Sequence, residues 1–145
     1  MTDSQFTGRW EGFYSYGSGN VPNSDDAKIG FVAEMFLKDG AMTGTCEESV
    51  TREQMKKPAV LTGFIEGNWI SFIKKYPFHF QIAKDGSVLT DPKKPSHSIH
   101  YSGLFDPVLG RWQGDWEIDT FVQDNFNGNP NTRMKGRWEM WKIPD

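Results

Sequence analysis

The sequence contains little cysteine and no excess of charge of either sign. Cys46 is the only cysteine among 145 residues, which excludes an internal disulfide and favours a reducing compartment. Sixteen basic and nineteen acidic residues leave a formal net charge of −3. Because nucleic-acid-binding domains carry clustered basic surface, we expect no nucleic-acid partner.

Long apolar segments are also missing. No run approaches the roughly 18 apolar residues that a membrane-spanning helix requires, so we expect no membrane partner. The polar stretch Met1–Gln5 lacks the basic and apolar regions of a secretory signal. We therefore expect a cytoplasmic protein, although a signal removed by processing would leave no trace in this sequence.

Aromatic residues are abundant, at 14%, and alternate with polar ones. In Gly110–Thr120, Trp112 and Trp116 fall on one face of an extended chain, and Asp115 and Glu117 fall on the other. This period of two is typical of a strand with one buried face. The acidic residues of this segment therefore belong to an outer wall, and we do not interpret them as a catalytic pair.

The same alternation predicts eight strands in one domain, 1–145. They are Gly8–Tyr16, Ile29–Lys38, Ala41–Ser49, Val60–Ile65, Trp69–Lys75, His97–Phe105, Gly110–Thr120 and Lys135–Ile143. Asp39-Gly40 and Gly67-Asn68 form tight turns. The longer connections are Gly17–Lys28, Pro77–Ser96 and Phe121–Arg133. Within the second of these we expect a short extra hairpin around Phe78–Ile82. We expect no helix beyond one turn in Val50–Lys57.

Eight sequential strands joined mostly by short turns predict an all-β fold, an eight-stranded antiparallel up-and-down barrel with negligible helix. Closing the sheet removes the exposed edges that favour aggregation. A barrel of this size is filled by side chains or holds one small ligand. Glycines on the inner face, such as Gly12 and Gly114, make space or bend the strands.

The opening Gly8-Arg9-Trp10 resembles the Gly-x-Trp motif of the calycin barrels, which are the lipocalins, fatty-acid-binding proteins and avidins. In those families the Trp plugs one end of the barrel and a basic residue of the last strand, here Arg137 or Lys142, packs across it. The run 39–47, DGAMTGTCE, resembles the second hairpin of avidin and streptavidin. Further similarities to that family are Leu61-Thr62-Gly63, Tyr101-Ser102-Gly103 and Trp116-Glu117-Ile118.

The biotin-contacting positions of that family are not retained. The resemblance places Gly12 at the asparagine position, Cys46 at the tyrosine position and Glu48 at the serine position; His97 and Ile99 replace a Ser and Thr pair. Only Trp116 is kept. Because buried ligand groups without partners cost about 1–3 kcal/mol each, we expect that biotin does not bind.

Strand parity and the resemblance together predict a binding site at the barrel end that carries the loops Gly17–Lys28 and Val50–Lys57. The candidate ligand-binding residues are Tyr14, Tyr16, Glu48, Tyr101 and Trp116. Tyrosine rings favour a planar ligand with a few polar edges. We expect Glu48 to be a carboxylate at the rim of the barrel, in contact with water. The alternative is that Glu48 anchors a polar group of the ligand, and it would then favour a neutral or cationic ligand.

Two other interpretations compete with this binding module. The first is a filled barrel that serves protein interaction or self-assembly through outward apolar residues, namely Phe13, Val32, Phe36 and Trp141. The avidin resemblance likewise implies a homo-oligomer. The second is an isomerase or cyclase, but no acid, base and electrophile converge. Cys46 has the parity of an inert buried thiol. His97 and His100 fall on opposite faces of a strand, so we expect no metal site. The sequence has no phosphate loop and no dinucleotide-binding motif, and we expect no other cofactor.

Overall fold

The computed structural model describes residues 1–16, 28–48, 57–77, 79–82, 88–91, 98–118 and 134–144. For Tyr16, Met134, 79–82 and 88–91 it describes the backbone alone. The elements are α1 (Asp3–Phe6), β1 (Gly8–Tyr16), β2 (Lys28–Lys38), β3 (Ala41–Glu48), β4 (Ala59–Glu66), β5 (Trp69–Lys75), β6 (His79–Ile82), β7 (Val88–Asp91), β8 (Ile99–Asp106), β9 (Arg111–Ile118) and β10 (Met134–Lys142).

Eight of these strands form one closed barrel in the order β1-β10-β9-β8-β5-β4-β3-β2. Every neighbouring pair is antiparallel, and β1 closes the barrel by pairing with both β2 and β10. The predicted all-β, up-and-down barrel is thus confirmed. The strands β6 and β7 form a separate two-stranded sheet, which lies in the segment where a short hairpin was expected.

The predicted strand bounds agree closely with the observed ones. Gly8–Tyr16 and Trp69–Lys75 match β1 and β5, and the other bounds differ by one or two residues where they can be compared. The predicted ends at Ser49, His97 and Thr120 lie outside the described residues, as do most of the predicted long loops.

The helical turn α1 was missed by the sequence analysis. Thr2 caps it, since the Thr2 side chain accepts from the Gln5 backbone while the Gln5 side chain accepts from the Thr2 backbone. This turn presents Phe6, which is fully buried, to the end of the barrel. The Trp10 indole donates to the Phe6 carbonyl at 2.7 Å, and the two rings lie 5.2 Å apart. Trp10 and Phe6 therefore plug this end together.

Alternation sets the inner face of each barrel strand. In β2, every second side chain from Ile29 to Leu37 is buried, and in β9 both Trp112 and Trp116 are buried. On the other face of β9, the Asp115 side chain is 73% exposed and pairs with Arg137 at 3.6 Å. Arg137 therefore lies on the outer wall. Lys142 instead spans the closed end, where its ammonium donates to the Gln5 carbonyl at 2.9 Å.

The inner-face glycines bring strands close together and leave no empty space. A Cβ at Gly12 would lie 2.0 Å from the Glu139 carbonyl oxygen, and one at Gly114 would lie 1.9 Å from the Ser102 carbonyl oxygen. The expectation that these glycines open a cavity is therefore wrong. Their role is the alternative one, in which the missing side chain lets the sheet curve into a tight barrel.

Candidate functional site

The two ends of the barrel differ in chemistry. The closed end carries α1 and the tight turns at 39–40, 67–68 and 107–110. At the opposite end, which we call the loop end, β1, β3, β5 and β9 finish and β2, β4, β8 and β10 begin. Aromatic rings pack against one another at the closed end. The ring centroid of Phe6 lies 5.2 Å from that of Trp10 and 6.5 Å from that of Trp112, and the centroids of Phe105 and Trp112 are 5.1 Å apart.

Two charged side chains point into the barrel near the loop end. Glu48 is the last residue of β3 and follows the inward parity of Met42 and Cys46. Lys74 is the last residue but one of β5 and follows Ile70 and Phe72. Their exposed fractions are 1% and 2%. They are the only charged residues buried among the described parts of the chain.

Glu48 and Lys74 form an ion pair in which the carboxylate is also hydrogen-bonded by two tyrosines. The Lys74 Nζ lies 3.0 Å from Glu48 Oε2. The Tyr14 hydroxyl donates to Oε1 at 2.5 Å, and the Tyr76 hydroxyl donates to Oε2. Burying a carboxylate is tolerable only when its lone pairs are satisfied, and here both oxygens have partners.

Three tyrosine rings surround the Lys74 ammonium. The distances from Nζ to the ring centroids are 4.6 Å for Tyr14, 5.2 Å for Tyr76 and 4.9 Å for Tyr101. We call these three residues the tyrosine cage. Aromatic faces attract a cation at such distances through the negative potential above the ring. Phe72 stacks on Tyr101 at 4.8 Å, and Trp116 meets Tyr14 edge-on at 6.0 Å, so packing holds the cage in place.

Burial and the ion pair control the protonation of the cluster. Burial is the largest single influence on Lys74 and disfavours its ammonium, but the Glu48 carboxylate together with Tyr101, Tyr76 and Cys46 outweighs burial and raises the pKa of Lys74 well above its ordinary value. Burial also raises the pKa of Tyr76 and that of Tyr101, which stay neutral hydroxyls. The pKa of the Cys46 thiol rises to about 12 for the same reason, and this keeps the thiol protonated and unreactive.

Little empty space remains inside the barrel below this cluster. A cavity of about 10 Å³ is lined by Cys46, Lys74, Tyr101 and the apolar side chains of Phe31, Met35, Leu61 and Phe72. That volume is about the minimum for one water molecule. A ligand larger than water that binds at the loop end therefore has to contact the outward side of the cluster or displace side chains that now fill the interior below it.

Four of the five predicted site residues come together at the loop end. Tyr14, Glu48 and Tyr101 belong to the cluster, and Trp116 packs on Tyr14 while its indole donates to the Ser15 carbonyl at 3.0 Å. The fifth, Tyr16, ends β1 opposite Gly136, and its side chain lies outside the described residues. One expectation is wrong: Glu48 is not a rim carboxylate in water but a buried, paired one.

The sequence analysis missed Lys74 and Tyr76. The parity of Trp69–Lys75 contained the signal for Lys74, because Ile70, Phe72 and Lys74 share one face. A lysine at an inward position of a barrel strand requires an anion, and Glu48 was the only inward carboxylate that parity had identified. Tyr76 lies just beyond β5, where strand alternation no longer predicts the side-chain direction.

Of the histidine pair considered as metal ligands, only His100 lies among the described residues. His100 is exposed on the outer face of β8, and His97 lies outside the described residues. Within the described ranges, no three His, Cys, Asp or Glu side chains are grouped as metal ligands would be. No helix in the same ranges has the length and apolar character to cross a membrane.

The closed, eight-stranded, all-antiparallel barrel is consistent with a calycin-like barrel. Comparison with protein-family models, with curated protein sequences and with solved structures gives no match for this chain.

Proposed function

We propose that the protein binds a small, planar, partly polar molecule at the loop end, against the tyrosine cage and the Glu48–Lys74 pair. The observation that carries this proposal is the buried ion pair itself. Replacing such a pair by apolar side chains usually leaves stability unchanged or increases it, so packing alone does not explain its presence. Buried charged groups gathered at one end of a fold are candidates for a functional site.

The chemistry of the cluster supports a neutral ligand. The Glu48 carboxylate is compensated by the Lys74 ammonium at 3.0 Å, so it no longer favours a cation. The rings of Tyr14, Tyr76 and Tyr101 are only 3%, 6% and 4% exposed, so a ligand has to open the loop end to reach them. Once reached, each ring offers a flat aromatic face next to a hydroxyl group. A planar ring system with one or two hydrogen-bonding edges matches that surface.

The avidin-like character of the site remains part of this proposal. Trp116, which the resemblance retains, packs on Tyr14 at the loop end, as a wall of the site would. Cys46 and Glu48 occupy positions that bind biotin in that family, and here the first is a protonated thiol and the second is engaged with Lys74. Biotin is therefore the expected negative control.

Tryptophan fluorescence tests the proposal directly. A panel of neutral planar heteroaromatic compounds is titrated into the protein, and saturable quenching is the expected result. In the Trp116→Phe variant the quenching is lost or reduced, whereas Trp141→Phe, which changes an indole on the outer wall, retains it. Tight binding of biotin, or equal quenching in both variants, would contradict the proposed site.

A second candidate function, interaction with another protein or with a second copy, is favoured by exposed apolar side chains on the barrel wall. Phe36 and Leu104 are 59% and 62% exposed, and the exposed rings of Phe64 and Trp69 lie 5.2 Å apart. Three of the outward residues that the sequence suggested contribute less, since Phe13, Val32 and Trp141 are half-buried.

Sedimentation analysis across a concentration range tests this second function. Self-association that Leu104→Lys abolishes would support it. A monomer at every concentration would remove self-assembly from consideration.

A further inference from the structure

We infer that the tyrosine cage and the Glu48 carboxylate form a binding site for a primary alkylammonium group, and that the side chain of Lys74 is its built-in occupant. This inference goes beyond the proposed function and does not require it. It concerns the interior side of the cluster, where the cation is enclosed, whereas the proposed ligand contacts the outward side.

The enclosure has the two components that recognise an organic cation. Three ring centroids lie within 5.2 Å of the Lys74 Nζ, and a carboxylate oxygen lies 3.0 Å from it. Proteins bind choline-like and methylated lysine groups by placing the faces of several aromatic rings around the ammonium. The carboxylate adds a charge-assisted hydrogen bond, which requires an N–H donor and so favours a primary ammonium over a quaternary one.

The cage is fixed by contacts that do not depend on Lys74. Tyr14 donates to Glu48 Oε1 and packs against Trp116, Tyr76 donates to Oε2, and Tyr101 stacks on Phe72. Removing the lysine side chain therefore leaves the rings and the carboxylate supported. The space that it vacates joins the cavity of about 10 Å³ that Lys74 already lines.

A tethered ammonium competes strongly with a free one. A group that is attached by a short flexible link has an effective concentration in the millimolar range at its site. The Lys74 side chain is enclosed and therefore more restricted than such a link, so the effective concentration of its ammonium in the cage is at least as high. We therefore expect the wild-type cage to exclude millimolar amines. The site becomes accessible once the tether is removed.

Chemical rescue of Lys74→Ala provides the test. Alanine keeps Cβ and removes Cγ, Cδ, Cε and Nζ, which are the atoms of n-propylammonium. Thermal unfolding is followed at increasing n-propylammonium chloride, with 1-propanol as the neutral analogue of the same shape and sodium chloride at matched ionic strength. Lys75→Ala is the matched control, because Lys75 is the next residue of β5 and is exposed.

The expected result is a rise in the Tm of Lys74→Ala with n-propylammonium concentration that exceeds the effect of 1-propanol, as binding to the folded state requires. Wild type and Lys75→Ala show no such rise. Adding Glu48→Gln to Lys74→Ala removes the preference of n-propylammonium over 1-propanol. Equal effects of the amine and the alcohol would overturn the inference.

Two further measurements keep the inference testable if Lys74→Ala is unfolded without ligand. Refolding is then monitored by tryptophan fluorescence, and recovery with n-propylammonium but not with 1-propanol supports the site, while no recovery contradicts it. In folded wild type, the three rings are expected to shift the Lys74 Hε proton resonances upfield in the NMR spectrum. Resonances at ordinary lysine positions would contradict the cage. None of these results depends on whether wild type binds a planar ligand.

Discussion

Replacing Lys74 by methionine removes the charge at the centre of the loop end and keeps most of the side-chain volume. The variant leaves Glu48, which is 1% exposed, with two tyrosine hydroxyls and no cation. Breaking a buried ion pair by removing one partner costs about 3–5 kcal/mol, because the other charge stays buried and uncompensated. Since domains are stable by only about 5–15 kcal/mol, this is a large fraction of the total.

Urea denaturation followed by tryptophan fluorescence measures this loss, provided that the slope of the transition does not change. Lys75→Met is the matched control, since it makes the same substitution at the exposed neighbour. In the double variant Lys74→Met with Glu48→Gln, part of the lost stability is expected to return, because a neutral amide is less costly to bury than a carboxylate.

The reasoning is refuted if Lys74→Met and Lys75→Met differ by less than about 0.5 kcal/mol, the usual range for a surface substitution. It is also refuted if the double variant is less stable than Lys74→Met alone. Either result would mean that the two charges are not energetically coupled in the folded protein.

Three further predictions concern pH, the closed end and the strand contacts. The raised pKa values of Tyr76, Tyr101 and Lys74 mean that above about pH 10 the unfolded chain loses protons that the folded chain keeps, so stability is intact below that pH and falls as pH rises. A urea midpoint that is constant from about pH 9 to pH 11 would contradict this. Trp10→Ala is expected to cost about 3–5 kcal/mol, because the buried indole plugs the closed end, and an unchanged urea midpoint would show that it does not. Gly12→Ala is expected to lower the Tm, since its Cβ would lie 2.0 Å from a backbone oxygen of β10 and overpacking costs about 1–3 kcal/mol; a Tm equal to that of wild type would mean that the two strands can separate freely.

The fold could be predicted from the sequence because strand alternation is a local signal. The buried positions of β2 and β9 follow directly from every second residue, and the turns at 39–40 and 67–68 follow from glycine next to Asp or Asn. The helical turn α1 had a readable signal as well, since Thr2 and Gln5 have the spacing of a capping box.

The candidate site could be predicted only in part, because its main contact is not local. Glu48 and Lys74 are 26 residues apart and meet because β4 pairs with both β3 and β5 and the barrel curves them inward. Parity predicts that each side chain points inward, but it does not specify the distance between them. The same limit applies to the glycines, whose sequence pattern is compatible with an open interior and with the close strand contacts that are observed at Gly12 and Gly114.

The proposal that the loop end binds a planar ligand is tested most directly by the indole N–H signals in a proton–nitrogen correlation NMR spectrum. The Trp116 indole reports on the loop end through its bond to the Ser15 carbonyl, and the Trp10 indole reports on the closed end through its bond to the Phe6 carbonyl. Titration with the compound that quenches fluorescence most strongly is expected to shift the Trp116 signal, with saturation, and to leave the Trp10 signal unchanged. A shift confined to Trp10, or unshifted indole signals at a concentration that saturates the quenching, would contradict the proposed site.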